Sequence, residues 1–231
     1  MNVAPARLGE LQTDPHLGLS YRLVQPAPAS PHRCVILLHG VGGNEVNMAG
    51  LARGMAPDTL VILARGPLTL APDQFAWFRV AFTAQGPSAN IEEAKRSRQL
   101  LTQFVQRVQA RYGITPANTV LAGFSQGGIM SASVALSEPE SVAGFGLLCG
   151  RIPPELEPHL ATKERLAKLK AFVGHGEHDK VLPVAWAHRS DALLTQLGVA
   201  HALHLYPTDH GISAAMHTDF LAWLASLNPQ P

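Results

Sequence analysis

The chain has 231 residues, of which 46% are hydrophobic and 15% charged, and its formal net charge is +1. This length and apolar content predict a globular protein with a sizeable core, in one domain that spans residues 1–231. The small net charge and the scattered lysines and arginines exclude the basic footprint of a protein that binds nucleic acid or an anionic membrane surface.

Short apolar runs closed by Gly or Pro recur along the chain, and each predicts a buried strand. The runs are 33–40, 60–66, 119–125, 142–150, 170–176 and 201–207, and residues 17–26 predict an additional edge strand. Helices are predicted at 91–113, 127–137, 184–197 and 213–226, the first from apolar residues at helical spacing. Because strands alternate with helices, the predicted fold class is α/β, with a mostly parallel central sheet and helices on both faces.

Two connections between these elements differ in length. The 25 residues from Gly66 to Asn90 are unusually long for a loop, and long loops are often functional. Only about twenty residues, RIPPELEPHLATKERLAKLK, separate the strands 142–150 and 170–176, which is too short for a large helical lid. We therefore expect no lid domain.

The cysteines and the start of the chain bear on the compartment. Cys34 and Cys149 each lie in an apolar run, which is typical of buried unpaired thiols in a reducing compartment. The stretch MNVAPARLGELQTDP has no apolar run long enough for a signal peptide, and no later run approaches the length of a membrane span. The sequence predicts a cytoplasmic protein without integral membrane association.

Glycines surround a serine in the stretch GFSQGG (123–128), where a predicted strand gives way to a helix. Gly123, Ser125 and Gly127 fit G-x-S-x-G, the nucleophile elbow, in which the serine takes strained dihedrals in a sharp turn. The residues two positions away must lack side chains, because a Cβ would collide with the adjacent backbone. The pattern predicts that Ser125 is a catalytic nucleophile at the carboxyl end of a strand, where parallel sheets bind ligands.

A serine hydroxyl needs an imidazole to take its proton, and the imidazole needs an acid to fix its tautomer. Eight histidines follow Ser125. His210 is the predicted base, because it follows the last strand in YPTDHGIS, with Gly211 next and a helix just after. Two of the other histidines, His175 and His178, belong to the loop that carries the acid. The remaining five lie in predicted helices, on a strand or in a polar stretch, where a structural or surface role is expected: His159, His188, His201, His204 and His217.

The acid is predicted on the loop GHGEHDKVLP (174–183). Asp179 lies deeper in this loop than Glu177, so Asp179 is the predicted orienting acid and Glu177 the alternative. His175 and His178 flank these carboxylates, but one short cluster without an H-E-x-x-H partner is too little for a metal site. The sequence predicts neither a metal nor another cofactor.

Two backbone N–H groups should bind the negative charge that develops on the substrate oxygen. One belongs to Gln126, which follows the nucleophile, and the other is predicted from Val41 in the loop HGVGGN (39–44). Glycine-rich loops also bind phosphates, but neither G-x-x-x-x-G-K-[ST] nor G-x-G-x-x-G occurs here. The loop is therefore predicted to form an oxyanion hole.

Together these segments resemble the phospholipase/carboxylesterase family of α/β-hydrolases, which includes bacterial carboxylesterases and the acyl-protein thioesterases. The matching segments are LLHGVGGNE (37–45), AWFR (76–79), GFSQGG (123–128), GHGEHDKVLP (174–183) and YPTDHGIS (206–213). The resemblance implies that Ser125, Asp179 and His210 form a triad that hydrolyses carboxylic esters or thioesters without a cofactor. The thioesterase branch usually has Asp where this chain has Gly43, which favours the bacterial esterase branch.

The predicted function is a serine esterase for small-molecule esters with short to medium acyl chains. The resemblance implies an acyl pocket near the loop 39–44 and around Trp77 and Phe78, and Leu68 and Leu70 are expected to add apolar surface. Aromatic residues in a long loop can equally serve to anchor that loop.

Two alternatives stay open. One is a hydrolase of lactones or peptides, and the other is a binding protein of the same fold without catalysis, although all triad positions are filled. The oligomeric state is also open, with a homodimer among the options.

Overall fold

The computed structural model of the protein describes residues 7–83 and 86–227. Residues 84 and 85 of the long connection, and both ends of the predicted domain 1–231, lie outside the described residues. The strands are β1 (Arg7–Leu8), β2 (Gln12–Thr13), β3 (Ser20–Gln25), β4 (Arg33–Leu38), β5 (Thr59–Ala64), β6 (Leu68–Ala71), β7 (Gln74–Ala76), β8 (Val80–Thr83), β9 (Gly86–Ala89), β10 (Thr119–Phe124), β11 (Gly144–Leu148), β12 (Lys170–Gly176) and β13 (Ala200–Tyr206). The α-helices are α1 (Ile91–Tyr112), α2 (Gln126–Ser137), α3 (Lys163–Leu166), α4 (Ala185–Leu197) and α5 (Ala214–Ser226).

The central sheet has the strand order β1-β3-β5-β4-β10-β11-β12-β13, and β2 also pairs with β3. The strands from β5 to β13 in this order run parallel, whereas β3 joins β5 antiparallel. The carboxyl ends of β4, β10, β12 and β13 therefore meet at one edge of the sheet. The internal strands predicted from the apolar runs are confirmed, and β3 is the last long strand on its side.

Helices cover both faces of the sheet, as predicted. Alternate residues of β4 belong to two separate buried clusters, because successive side chains of a strand point to opposite faces. Ile36 shares its cluster with Phe104 of α1, and Leu37 shares the other cluster with Phe220 of α5. A strand buried on both faces reads as a continuous apolar run, which explains the sequence pattern.

The long helix α1 agrees with its predicted span. The Asn90 side chain caps its first turn by accepting a hydrogen bond from the Glu93 N–H at 3.1 Å. Gly113 ends the helix with a positive φ of 66°, a conformation that glycine adopts without steric cost.

The connection 66–90 differs from the open loop expected from the sequence. It contains two antiparallel hairpins, β6–β7 and β8–β9. The first hairpin bonds to the loop after β4 through Gly43 and Phe75, and the second is joined to α1 by a hydrogen bond from the Asn90 N–H to the Arg79 carbonyl at 2.9 Å. The segment is thus held to the body of the protein at both hairpins.

The connection between β11 and β12 holds only short helical turns, at Pro154–His159 and Lys163–Leu166, so no lid domain forms there, as expected. Cys34 and Cys149 are buried and unpaired. Within residues 7–83 and 86–227, no helix combines the length and the apolar character needed to cross a membrane.

Candidate active site

Ser125 lies in the turn between β10 and α2, with φ 52° and ψ −116°. A non-glycine residue in this region costs about 1–3 kcal/mol and persists only where its surroundings hold it. The Ser125 N–H donates to the Leu148 carbonyl at 2.8 Å, and the Ser125 carbonyl accepts from the Ile129 N–H at 3.0 Å. These two bonds fix the strained residue to the neighbouring strand and to the helix.

The glycines beside Ser125 allow the backbone of α2 to approach the sheet closely. A Cβ on Gly127 would meet the carbonyl groups of Leu38 and His39, and a Cβ on Gly123 would meet the carbonyl of Gly127. The predicted collision with adjacent backbone is therefore confirmed at both positions. Backbone atoms cannot rotate away as a side chain can, so the sequence at these positions is tightly restricted.

Three predicted side chains come together at the carboxyl edge of the sheet. His210 Nε2 lies 3.0 Å from Ser125 Oγ, and His210 Nδ1 lies 2.6 Å from Asp179 Oδ2. A carboxylate only accepts, so Nδ1–H donates to Asp179 and leaves the Nε2 lone pair facing the serine hydroxyl in the neutral imidazole. The Phe124 ring packs against the His210 ring, with 4.9 Å between centroids.

Asp179 is buried, with 5% of its surface exposed. Its Oδ1 accepts hydrogen bonds from the N–H groups of Val181 and Leu182, both at 2.8 Å. Burial alone raises the pKa of this carboxyl, but the hydrogen bonds from His210 and these two N–H groups hold its pKa below the usual range. Asp179 is thus an ionised acceptor aimed at His210.

Glu177 and His178 occupy the same loop but point elsewhere. Both side chains are exposed, whereas Asp179, the next residue in the loop, is buried. The geometry favours Asp179 over Glu177 as the partner of His210. Among the described residues, no cluster of three or more His, Cys, Asp or Glu side chains is arranged to hold a metal ion.

His39 is a site residue that sequence reasoning missed. Its ring is fully buried, and its Nδ1 lies 2.7 Å from the Gly40 carbonyl while its Nε2 accepts from the Gly66 N–H at 2.9 Å. These partners fix a neutral ring protonated at Nδ1. Burial also lowers the pKa of His39. The only sequence signal was its position directly before the glycine-rich loop.

The loop after β4 carries the predicted oxyanion donors. The Gly42 N–H donates to the Phe75 carbonyl at 2.9 Å, and the Gly43 N–H donates to the Gly40 carbonyl at 3.2 Å. In the described part of the chain, the N–H groups of Val41 and Gln126 donate to no protein acceptor. Gly40 lies close to Ser125, so the unused N–H of Val41, next to Gly40, and that of Gln126, next to Ser125, are both near the serine.

The Gln126 side chain ties the elbow to the long connection. Its Oε1 accepts from the Trp77 N–H at 2.8 Å, and its Nε2 donates to the Phe78 carbonyl at 2.7 Å. The Trp77 indole N–H donates to the His39 carbonyl at 2.9 Å. Trp77 has no exposed surface and anchors its segment through these bonds, so a contact of its side chain with substrate stays a prediction.

Two pockets flank the elbow. A cleft of ≈ 310 Å³ beside Phe124 is lined by Gly40, Val41, Gly43, Asn47, Met48, Phe124 and Ile212. A second pocket, on the α1 side, includes Phe78 and Ile129. Leu68 and Leu70 lie on β6 and line neither pocket, so the structure gives their predicted substrate contact no support.

The mostly parallel sheet and the serine at a strand-to-helix elbow, hydrogen-bonded to a histidine and an aspartate from later loops, define an α/β-hydrolase. The sequence model of the phospholipase/carboxylesterase family matches residues 19–228. The chain therefore belongs to the phospholipase/carboxylesterase family. The predicted family, fold and enzyme class, a carboxylesterase-type serine hydrolase, are confirmed.

Relatives and solved structures agree with this assignment. Acyl-protein thioesterase 1 of Kluyveromyces lactis is 29% identical over 178 residues, 71% of this chain and 76% of the relative. The protein of the same name from Emericella nidulans is 26% identical over 197 residues, 76% of this chain and 81% of the relative.

Two solved structures show the same fold, each with a TM-score of 0.78. The esterase PE8 is 22% identical, and the match covers 95% of this chain and 100% of that one. The Bacillus cereus carboxylesterase is 21% identical, and the match covers 91% of this chain and 95% of that one.

Proposed function

We propose that this protein is a serine esterase that cleaves carboxylic esters of short to medium acyl chains through an acyl-enzyme intermediate. The observation that carries the proposal is the continuous hydrogen-bonded path from Ser125 Oγ through His210 to Asp179. The proposed substrates are small-molecule esters rather than nucleic acid.

Each group of the path has a defined task. Ser125 Oγ attacks the ester carbonyl carbon while its proton passes to His210 Nε2, and Asp179 stabilises the imidazolium that forms. The N–H groups of Val41 and Gln126 donate to the oxyanion of the tetrahedral intermediate. His210 then protonates the leaving alcohol, and a water molecule, deprotonated by the same ring, hydrolyses the acyl-enzyme.

The cleft beside Phe124 is the proposed acyl site. Met48, Phe124 and Ile212 give it apolar surface, and Val41, at its wall, is 48% exposed. Each buried methylene adds about 0.8 kcal/mol, so binding improves with chain length until the cleft is full. Since residues 7–83 and 86–227 contain no lid domain, we expect activity on dissolved esters without a jump when substrate forms droplets.

Thioesters are the second candidate substrate class, because the relatives described above carry the name acyl-protein thioesterase. Gly43 is the residue that sets this chain apart from the thioesterase branch. A Cβ on Gly43 would come within 2.6 Å of Asn47 Oδ1, and this oxygen already accepts from the Asn44 N–H at 2.8 Å. An aspartate at position 43, as is usual in the thioesterase branch, would therefore require the Asn47 side chain to move and this hydrogen bond to change.

The deciding experiment combines a fluorophosphonate probe with a panel of p-nitrophenyl esters and matching thioesters. We expect Ser125→Ala to abolish labelling and to reduce turnover by several orders of magnitude, with the fold retained. Labelling and normal turnover of the alanine variant would exclude Ser125 as the nucleophile. A labelled wild-type protein that cleaves lactones or peptides but no ester would favour the alternative hydrolase.

Matched variants on the acid loop and on the base test the other roles. Asp179→Ala and His210→Ala should each lower turnover far more than Glu177→Ala or His178→Ala, because only the first pair lies on the path to Ser125. An equal loss at Glu177 would transfer the acid role to that residue.

A further inference from the structure

The second pocket beside the elbow lies between α1, α2 and the turn Pro154–His159 and has a volume of ≈ 150 Å³. Its apolar lining includes Ile91, which is 44% exposed, and the more buried Phe78 and Ile129. This pocket shares no lining residue with the cleft beside Phe124, so the two are separate.

Charged side chains surround this apolar surface. The cations are Lys95, Arg98 and Arg151, and the carboxylates are Glu92 and Glu155. Cations thus outnumber carboxylates by one. A ligand with a single negative charge matches this balance, whereas a dianion would meet repulsion from both glutamates.

Arg98 is the cation best placed to bind an anion. It is partly buried, and among the described residues its guanidinium has no ion-pair or hydrogen-bond partner. Burial lowers the pKa of Arg98, since removing water disfavours the charged form, and the Glu138 carboxylate, which forms no ion pair with it, offsets part of this effect. By contrast, Arg151 stacks over the Trp186 ring at 4.7 Å and lies 3.8 Å from a Glu155 carboxylate oxygen.

The volume limits the apolar part of the ligand. An apolar cavity of about 150 Å³ holds a molecule the size of benzene, which has about six carbons. We propose that this pocket binds a short alkyl carboxylate of about four to six carbons, with its chain on Ile91 and Ile129 and its carboxylate on Arg98. Such an acid is of the class that ester hydrolysis releases, but the binding does not depend on catalysis.

The test is a ligand-observed NMR titration of the full-length Ser125→Ala protein with hexanoate. We expect affinity to rise about fourfold per methylene from butanoate to hexanoate and to level off at octanoate. Hexanol, which lacks the charge, should bind about tenfold more weakly or worse. Because Ser125 is absent, the result is independent of whether the wild-type protein hydrolyses esters.

Variants locate the binding. Arg98→Gln should weaken hexanoate about tenfold or more, whereas Arg96→Gln, an exposed arginine on the same helix that does not line the pocket, should leave it unchanged. Ala94→Phe should fill the pocket and abolish binding, with a melting temperature close to that of the parent as the check on folding.

Three results would overturn the proposal. The first is that the Arg98→Gln variant binds hexanoate as tightly as the parent protein, and the second is that hexanol binds as tightly as hexanoate. The third is a loss of hexanoate binding when Ser125 of the wild-type protein carries a small fluorophosphonate label. The last result would place the carboxylate in the catalytic cleft instead.

Discussion

The elbow around Ser125 and the oxyanion loop after β4 face each other across the site but owe their shape to different forces. The elbow is held by backbone packed on backbone, with Gly127 against the carbonyls of Leu38 and His39. The oxyanion loop, residues 39–44, has backbone bonds to Phe75, and side chains add to its support, among them His39, the Trp77 indole and the nearby Glu45 carboxylate.

Glu45 shows how far this side-chain support extends. It is fully buried, and its two oxygens accept from Arg22 at 2.8 Å and from Arg65 at 2.6 and 2.9 Å. Arg65 in turn lies over the Phe75 ring, 4.4 Å from its centroid, and Phe75 bonds to the oxyanion loop. A backbone contact admits no substitution, whereas a side-chain contact can be exchanged at a finite cost in stability.

The largest effect is therefore expected at the elbow. Gly127→Ala places a Cβ against two backbone carbonyls, and we expect a loss of more than about 4 kcal/mol in the free energy of unfolding, or no soluble protein. Gly50→Ala is the matched control, because a Cβ there meets nothing within 4 Å. Denaturant unfolding of both variants measures the difference. A Gly127→Ala protein as stable as the parent would show that the backbone contacts of the elbow can accommodate a Cβ.

The next effect concerns Glu45 and acid pH. Burial favours its neutral form, but hydrogen bonds from Arg65 and Arg22 lower its pKa to about 2. A lowered carboxyl pKa contributes stability above the unfolded-state pKa and loses it as pH falls, here between about 4.5 and about 2. Glu45→Gln should thus cost about 3 kcal/mol at pH 7 and progressively less across that window.

Glu140→Gln is the matched control for this pH experiment. Glu140 also accepts two hydrogen bonds from one arginine, Arg165, both at 2.7 Å, but the pair is exposed, so the expected loss is within about 1 kcal/mol. Equal losses at Glu140 and Glu45 at neutral pH would show that burial adds nothing to the ion pairs of the oxyanion loop.

The smallest of the three effects is expected for Gln126→Leu. It keeps the backbone N–H proposed to bind the oxyanion but removes the partners of the Trp77 N–H and the Phe78 carbonyl. We expect a loss of about 2 kcal/mol in stability and about tenfold in turnover, because the loop loses its tie to the elbow.

Gln109→Leu is the control that separates a general loss of stability from a loss of loop positioning at the site. Gln109 is buried and donates to Thr119 Oγ1 and to the Ser141 carbonyl, at the end of β10 opposite to Ser125. Its variant should lose similar stability and keep full turnover. If both variants lose turnover equally, general destabilisation and not loop positioning explains the effect.

This contrast also explains what the sequence could predict. The strands and helices follow from continuous apolar runs and helical spacing, and the proximity of Ser125, Asp179 and His210 could be predicted because the carboxyl ends of parallel strands meet at one edge. The glycines of the elbow are visible in sequence because backbone packing excludes every other residue type there.

The supports of the oxyanion loop had no such signal. The Gln126–Trp77 bond joins residues 49 positions apart, and the hairpins β6–β7 and β8–β9 lie in a stretch without sustained alternation. For the same reason the sequence leaves two roles open for Trp77, since an aromatic residue in a long segment fits both a substrate contact and an anchor.

The burial of Trp77 also gives the protein an optical reporter. Of the three tryptophans, only Trp77 is fully buried, and its ring centroid lies 5.6 Å from that of His39. An indole shielded from water emits at shorter wavelength than one in contact with it. Any event that loosens the oxyanion loop will therefore appear as a red shift in intrinsic fluorescence, without a label attached near the site.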